Sequence, residues 1–282
     1  MAQGLNVTAT TPTPVLQLRD VSLSYGARRV LDSLTLDIAP ASFTVILGPN
    51  GCGKSTLLRV LGGALTPGQG RALLDGADLA SLRRKAVARR LAYLPQHPIA
   101  PEMITVRDLV ARGRYPHQSV LRQWSAADAS AVDAALAATD LDGIADEAVH
   151  TLSGGQRQRA WLALVLAQEA GIMLLDEPTT FLDIRHQLDL LELCARLHRA
   201  GRTLVVVLHD LNLALRYAER IVMMRDGRIA AHGDVRPVVT EDMMRHVFDL
   251  DCRVMPDPET GSPMVVPRRF RQPLTGSETF EK

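Results

Sequence analysis

The stretch Gly48-Pro49-Asn50-Gly51-Cys52-Gly53-Lys54-Ser55 decides the fold. It matches the phosphate-binding pattern G-x-x-x-x-G-K-[ST], and it lies between an apolar run, Phe43–Leu47, and a helix predicted over Lys54–Leu61. A strand buried on both faces, a glycine-rich loop and a helix form the context that this pattern requires. Glycines let backbone N–H groups surround phosphate oxygens, and the helix N-terminus adds partial positive charge. We therefore expect Lys54 to bind the outer phosphates of a nucleotide and Ser55 to bind Mg²⁺.

Two adjacent carboxylates, Asp176 and Glu177, follow the apolar run Ile172-Met173-Leu174-Leu175. This position is the carboxyl end of a predicted strand, where α/β proteins bind their ligands. One carboxylate can hold a metal while the other polarises a water molecule, so we assign Asp176 to Mg²⁺ and Glu177 to the water. An isolated Asp-Glu pair is more often a solvated strand end. The phosphate-binding loop in the same chain favours the catalytic interpretation.

A third segment, Leu152-Ser153-Gly154-Gly155-Gln156, opens a helix predicted over residues 153–167. Ser153 can cap this helix, and a serine with two glycines at a helix N-terminus also forms an anion site. The residues alone favour neither a second phosphate site nor a capped helix with a flexible start. One nucleotide does not obviously need two phosphate sites from one chain.

Strand and helix patterns alternate along most of the chain, which predicts an α/β fold with a mostly parallel sheet. Asp75-Gly76 and Asp226-Gly227 are typical turns of β-hairpins. From about residue 105 to 168 the pattern is helical and strand candidates are missing. This part is therefore expected to form an inserted helical subdomain.

We expect a single domain over residues 15–265, with the helical subdomain at about residues 100–168. Residues 1–14 lack a basic or an apolar block, so they are interpreted as a flexible lead-in and not as a signal peptide. Residues 266–282 are expected to form a loose tail, because the chain becomes rich in proline and charge after Phe248.

Composition excludes several classes of protein. The 282 residues carry a net charge of +1 and only 4% aromatic residues, which argues against nucleic-acid binding by bulk charge or by base stacking. The three cysteines have no metal-ligand spacing and suit a reducing compartment. No apolar stretch is long enough to predict a membrane-spanning helix. A soluble, cytoplasmic, folded protein is expected.

Together, the motifs resemble those of the ATP-binding-cassette (ABC) ATPases over roughly residues 15–265. Leu152 to Gln156 is identical to the signature motif of that family, LSGGQ. The remaining family motifs are matched by Tyr25 (the A-loop aromatic), Gln96 (the Q-loop), Leu182-Asp183 (the D-loop) and His209 (the switch histidine). The resemblance implies an α/β P-loop ATPase core with a mainly parallel sheet, an N-terminal antiparallel β part and an inserted α-helical subdomain.

The resemblance also implies ATP and Mg²⁺ as cofactors and assigns the site residues. Ser55, Gln96 and Asp176 would surround the metal, Glu177 would be the catalytic base, and His209 would contact the γ-phosphate and act with Gln96 in catalysis. Tyr25 would stack on adenine, the alternative being an ordinary core tyrosine. The residues expected to contact ATP are Tyr25, Gly48, Pro49, Asn50, Gly51, Cys52, Gly53, Lys54, Ser55, Thr56, Ser153, Gly154, Gly155, Gln156 and Asp183.

Members of this family pair head to tail, and the signature of one cassette closes over the ATP of the other. The resemblance thus explains two phosphate sites in one chain and implies a homodimer. It further implies two transmembrane permease subunits, a periplasmic substrate-binding protein as an indirect partner, and no nucleic acid. The protein would then be peripheral, on the cytoplasmic face of the bacterial inner membrane. Residues after Gln96, through Arg114, would receive a permease helix.

Several segments resemble the ATPases of bacterial ferric-siderophore importers of the enterobactin and citrate kind, among them Gly113-Arg114-Tyr115-Pro116-His117 and Val207-Leu208-His209-Asp210-Leu211-Asn212. Phe181 stands where many cassettes have a small residue, and aromatic residues occur at this position in siderophore-type relatives. We therefore expect an ATPase that powers iron–siderophore uptake. The alternatives are the same role in haem or cobalamin import, a non-transport ABC ATPase, and a regulatory cassette that binds ATP without hydrolysing it.

Overall fold

The computed structural model describes residues 13–119, 123–180 and 182–268. The predicted tail beyond residue 268, most of the predicted lead-in and Phe181 therefore lie outside the described residues. The strands of the described part are β1 (Leu16–Tyr25), β2 (Arg28–Ile38), β3 (Phe43–Leu47), β4 (Gln69–Leu74), β5 (Ala77–Asp78), β6 (Leu91–Leu94), β7 (Ile172–Asp176), β8 (Thr203–Val207), β9 (Arg220–Arg225), β10 (Arg228–Asp234), β11 (Cys252–Pro256) and β12 (Pro263–Pro267). The α-helices are α1 (Lys54–Leu61), α2 (Arg84–Arg90), α3 (Val106–Ala111), α4 (Ala126–Ala138), α5 (Gly154–Ala167), α6 (Ile184–Arg199), α7 (Leu211–Tyr217), α8 (Val235–Val238) and α9 (Glu241–Phe248).

A six-stranded sheet with the order β10-β9-β3-β8-β7-β6 forms the centre of the fold. Every pairing in it is parallel except that of β10 with β9, so the mostly parallel α/β sheet predicted from the sequence is confirmed. All residues of β3, β7 and β8 are buried. Successive side chains alternate between the two faces: Val45 packs with the helices on one face, and Ile46 packs with α1 on the other. Continuous apolar runs are therefore the sequence pattern of these strands.

A second, antiparallel sheet has the order β2-β1-β4-β5 and packs with α1 in one hydrophobic core. It confirms the N-terminal antiparallel part. The alternation seen in the sequence is explained by this packing, because Leu16 and Leu18 are fully buried whereas Gln17 and Arg19 are partly exposed. Both predicted hairpins are present, and both residues of each turn dipeptide have positive φ, as the tight hairpin turn requires.

Helices α3, α4 and α5 surround a hydrophobic core of their own. Ser125 and Ser153 cap α4 and α5, each in a reciprocal capping box. The helical region predicted between β6 and β7 is therefore confirmed, whereas its limits as a subdomain, at about residues 100–168, stay a prediction. None of the helices in the described ranges has the length and apolar character needed to cross a bilayer.

A buried ion pair joins the parts of this helical region. The guanidinium of Arg114 donates to Asp128 Oδ1 at 2.9 Å, to the Ala167 carbonyl at 2.7 Å and to Glu169 Oε2 at 2.6 Å. Arg114 and Asp128 are each only 4% exposed. The expectation that residues through Arg114 contact a permease is therefore wrong for Arg114 itself, because its side chain is inside the protein. Its neighbour Tyr115 is exposed.

Strands β11 and β12 form a C-terminal hairpin that the sequence pattern did not predict. Cys252 and Val265 are buried against the core beside the large sheet. The strand β12 continues to Pro267, two residues into the segment expected to be a loose tail. The two strands were not predicted because both have proline at their ends, and proline usually argues against a strand.

We predict that Arg114→Met destabilises the fold by about 3 kcal/mol, because it leaves the buried carboxylate of Asp128 without its cation. The measurement is chemical denaturation of the purified protein, monitored by circular dichroism. The matched control is Arg107→Met, which breaks the exposed pair with Asp133 and should cost less than about 1 kcal/mol. Equal costs for the two variants would contradict this assignment.

Candidate active site

The carboxyl ends of four parallel strands meet at one edge of the large sheet, and each is followed by predicted site residues. The phosphate-binding loop follows β3, Gln96 follows β6, Asp176 ends β7, and His209 follows β8. Because β3, β8, β7 and β6 are neighbours in that order, residues far apart in sequence come together. This edge is where open α/β sheets bind ligands.

The phosphate-binding loop holds a buried lysine whose ammonium group binds backbone carbonyls. Lys54 is 5% exposed, and its Nζ donates to the carbonyls of Gly48 and Pro49 at 2.8 and 2.9 Å. No carboxylate pairs with Lys54 among residues 13–119, 123–180 and 182–268. Burying a charge without a counter-ion is unfavourable. The loop is therefore built to receive an anion.

Close packing explains why this loop needs glycines. A Cβ on Gly48 would lie 2.3 Å from the Met224 carbonyl, and one on Gly53 would lie 2.9 Å from the Val30 carbonyl. The loop is also held from outside, because the backbone N–H of Gly227 donates to the Cys52 carbonyl at 3.1 Å. The Cys52 thiol faces the interior, and burial raises its pKa. Any contact of Cys52 with a nucleotide would therefore come from its backbone.

Asp176 lies beneath the loop as a hydrogen-bonded carboxylate. It is 2% exposed; its Oδ1 accepts from Ser55 Oγ at 3.0 Å, and its Oδ2 accepts from the Tyr93 hydroxyl at 3.5 Å. Burial raises the pKa of Asp176, and the neighbouring Glu177 adds to the rise. Ser55 and Asp176 together offer oxygen atoms, the ligands that Mg²⁺ prefers when phosphates complete its shell. These two residues fit a magnesium ion bound with a nucleotide.

Tyr93 is a site residue that the sequence analysis missed. Burial and the charge of Asp176 raise the pKa of its hydroxyl, which therefore remains a proton donor. The signal that could have found it is its place on β6, which pairs with β7 and ends two residues before Gln96. Thr180 is a second site residue that the sequence analysis missed, because its Oγ1 lies 3.5 Å from Glu177 Oε2.

Glu177 is the centre of the site. His209 Nε2 lies 2.7 Å from its Oε1, and the Gln96 amide donates to its Oε2. Its backbone N–H donates to the Val207 carbonyl at 3.1 Å, which ties the end of β7 to the end of β8. Its φ is 52°, a left-handed conformation that costs a non-glycine residue about 1 kcal/mol. Strain of this kind is concentrated at functional sites. Of the three residues predicted to be catalytic, Gln96 and His209 therefore each contact Glu177.

The structure leaves other predicted residues apart from this cluster. Ser153 Oγ accepts from the Gln156 backbone at 3.2 Å, and Asp183 Oδ1 accepts from the His186 backbone at 2.9 Å, so both residues cap helices. No hydrogen bond or ion pair in the described part of the chain joins Ser153 or Gln156 to Lys54, Asp176 or Glu177. Tyr25 is 48% exposed at the end of β1, which argues against a core role for this tyrosine.

We predict that Asp176→Asn raises the Tm of the nucleotide-free protein at pH 7. Folding raises the pKa of Asp176. The protonated carboxyl therefore stabilises the folded state at low pH, and this stabilisation is lost as the pH rises and the carboxyl ionises. The variant removes this cost; each 1 kcal/mol regained corresponds to about 2–4 °C in a chain of this size. Thermal unfolding at several pH values is the measurement.

The difference between Asp176→Asn and the unsubstituted protein should shrink as the pH falls toward 3.8, the usual pKa of the carboxyl. The control is Asp189→Asn, at an exposed position of α6, which should change the Tm little at any pH. A lower Tm for Asp176→Asn at pH 7 would contradict the assigned cost of burial.

Comparison with known proteins assigns this site to a family. Residues 31–180 match the family model described as ABC transporter. The chain is 49% identical over 263 residues to the ferric enterobactin transport ATP-binding protein FepC of Escherichia coli (strain K12), covering 93% of this chain and 97% of that relative. It is 49% identical over 262 residues to the petrobactin import ATP-binding protein FpuD of Bacillus anthracis, covering 91% and 96%. Relatives named for hemin and cobalamin import are less similar, at 43% and 40% identity.

A solved structure supports the same assignment. The ATP-binding cassette MJ0796, a dimer in a post-hydrolysis state bound to ADP and Pi, superposes with a TM-score of 0.71 at 27% sequence identity. The match covers 78% of this chain and 99% of that cassette. The fold of this chain agrees with these comparisons. The chain belongs to the ABC transporter family, and it is one of the ATP-hydrolysing cassettes of that family.

Proposed function

We propose that this chain is the ATPase subunit of a bacterial importer that powers uptake of an iron–siderophore complex across the inner membrane. The observation that carries the chemistry is the contact of Glu177 with Gln96 and His209, next to the hydrogen-bonded pair of Ser55 and Asp176. The similarity to FepC and FpuD, over nine-tenths of the chain, supports the cargo class.

Lys54 would exchange its two carbonyl partners for the outer phosphates of ATP. Ser55 and Asp176 would hold Mg²⁺. Gln96 would join them as a ligand after its side chain had given up its hydrogen bond to Glu177. When bound, Mg²⁺ neutralises charge on the phosphate oxygens. Tyr25, exposed at the end of β1, would stack on adenine. The geometry thus supplies separate groups for the base, the phosphates and the metal.

Glu177 would take a proton from the attacking water as general base. Its carboxylate is 6% exposed and contacts Gln96 and His209, which follow the neighbouring strands β6 and β8, so it is held in place in the nucleotide-free protein. His209 would contact the γ-phosphate while holding the carboxylate in place. Pre-positioned groups of this kind lower the barrier because they need no reorganisation during the reaction.

A second copy of this chain would complete each ATP site. Ser153 and Gly154 are exposed at the N-terminus of α5, and within the described residues no hydrogen bond or ion pair joins the signature to the phosphate-binding loop. Head-to-tail pairing would bring the signature of one copy, together with Asp183, onto the ATP of the other. ATP would then stabilise the closed dimer, since it would bind the closed state better than the open one.

Two permease subunits would dock on the loop that follows Gln96, and a periplasmic binding protein would deliver the cargo to them. Ile99 and Met103 in this loop are 91% and 75% exposed, which gives a permease helix apolar side chains to pack on. The protein would accordingly lie on the cytoplasmic face of the inner membrane, as a peripheral subunit.

We predict that Glu177→Gln retains ATP binding but lowers hydrolysis roughly 10²–10⁴-fold, the usual contribution of a general base. Turnover and the Kd for ATP are measured on the purified protein. The control is Glu219→Gln, an exposed carboxylate paired with His198, which should leave both quantities unchanged. Unchanged turnover in Glu177→Gln would exclude Glu177 as the base.

Uptake of labelled cargo tests the importer itself. Cells carrying this chain or its Glu177→Gln variant are supplied with ferric siderophores, haem or cobalamin. The proposal predicts that ferric-siderophore uptake fails with the variant and that haem and cobalamin uptake continue. Loss of haem or cobalamin uptake with normal iron–siderophore uptake would contradict the cargo assignment and leave the ATPase chemistry intact.

A further inference from the structure

His209 lies in a three-residue connection between the central strand β8 and the helix α7. Its side chain is about half exposed and contacts Glu177. The β8 side of the connection is fixed, because β8 is hydrogen-bonded between β3 and β7. On the other side, Asp210 caps α7 by accepting from the Leu213 backbone at 2.9 Å. The position of the His209 ring therefore depends on where α7 lies.

One side chain of α7 binds the backbone of the C-terminal hairpin. Asn212 Nδ2 donates to the Val265 carbonyl at 3.2 Å, and the Val265 N–H donates to Asn212 Oδ1 at 2.8 Å. The amide thus pairs with β12 as a neighbouring strand would. Val265 is 3% exposed, so these backbone groups would be buried without partners if Asn212 were absent.

A second side chain, one helical turn further along α7, binds the turn of the same hairpin. Arg216 Nε and Nη2 donate to Asp257 Oδ2 at 3.1 and 2.7 Å. The other oxygen of Asp257 accepts from the backbones of Glu259 and Thr260 at 2.8 and 3.1 Å. Asp257 is 5% exposed, and Arg216 holds the pKa of its carboxyl below the usual range. Asn212 and Arg216, four residues apart, face the hairpin together.

We propose that Asn212 and Arg216 are positioning residues for hydrolysis: through them, the hairpin β11–β12 holds α7 so that His209 stays against Glu177. This inference rests on the proposed role of His209. On its other side α7 is held by Tyr217, whose hydroxyl donates to Glu192 Oε1 at 2.9 Å. Ala214 and Leu215 also pack α7 into the core. Releasing the hairpin contact would keep the helix in place but remove its polar contacts on the hairpin side, and a displacement of about 1 Å at a catalytic group can cost 10²-fold in rate.

The test begins with Asn212→Ala in the purified full-length chain. We expect kcat for ATP to fall about tenfold and the Kd for ATP to change less than twofold, because the phosphate-binding loop is untouched. The matched control is Arg236→Ala, which removes a bond to the Gly261 carbonyl in the same hairpin turn without touching α7. Its kcat should stay at the value of the unsubstituted chain.

Two further readouts separate positioning from a merely structural role. The His209 ring signal in the NMR spectrum, assigned among the eight histidines by its loss in His209→Ala, should shift in Asn212→Ala and not in Arg236→Ala. In a double-mutant cycle, adding Asn212→Ala to His209→Ala should cause no further loss of kcat. If Asn212→Ala fails to fold, Arg216→Lys, which keeps the charge but loses the two-nitrogen contact with Asp257, enters the same cycle.

An unshifted His209 signal, an unchanged kcat in Asn212→Ala, or losses that multiply in the cycle would each overturn the inference while leaving the proposed function in place. Normal turnover in His209→Ala would instead contradict the proposed role of His209, and with it the inference that depends on that role.

Discussion

The order of three neighbouring parallel strands, β3-β8-β7, is the constraint on which the site depends. Parallel strands present their carboxyl ends at one edge, so the loop holding Lys54, the pair Asp176 and Glu177, and His209 are adjacent whatever their separation in sequence. The bond from the Glu177 backbone to Val207 extends the ladder by one residue past β7. A slip of β7 against β8 by one residue would turn Asp176 away from Ser55.

The protein gives up stability at this edge. Lys54 is buried against carbonyls, Asp176 is buried beneath it with a raised pKa, and Glu177 adopts a left-handed backbone conformation. Each of these features is unfavourable in the nucleotide-free state, and each is relieved or used when an anion and a cation bind. The two hydrophobic cores on either side of the large sheet supply the stability that offsets these unfavourable features.

Local patterns allowed much of this arrangement to be predicted from the sequence. The phosphate-binding loop, the Asp176-Glu177 pair and the cap at Ser153 each lie within a few consecutive residues, so their chemistry is visible without the fold. The hydroxyl of Tyr93, the burial of Arg114 and the hairpin β11–β12 were not predicted, because they depend on contacts between distant segments. The resemblance to a family supplied Tyr25, Gln96 and Asp183, which carry little local signal. The roles assigned to the site residues stay predictions.

The separation of the signature from the phosphate-binding loop leads to the central claim, an ATP site shared between two copies. Its most direct test mixes two inactive variants: Lys54→Ala, and Ser153→Asp, which keeps a good helix cap but places negative charge against the phosphate. A mixed dimer has one complete site, so the account predicts recovery of up to roughly a quarter of normal ATPase activity. A mixture no more active than its two components would contradict the account.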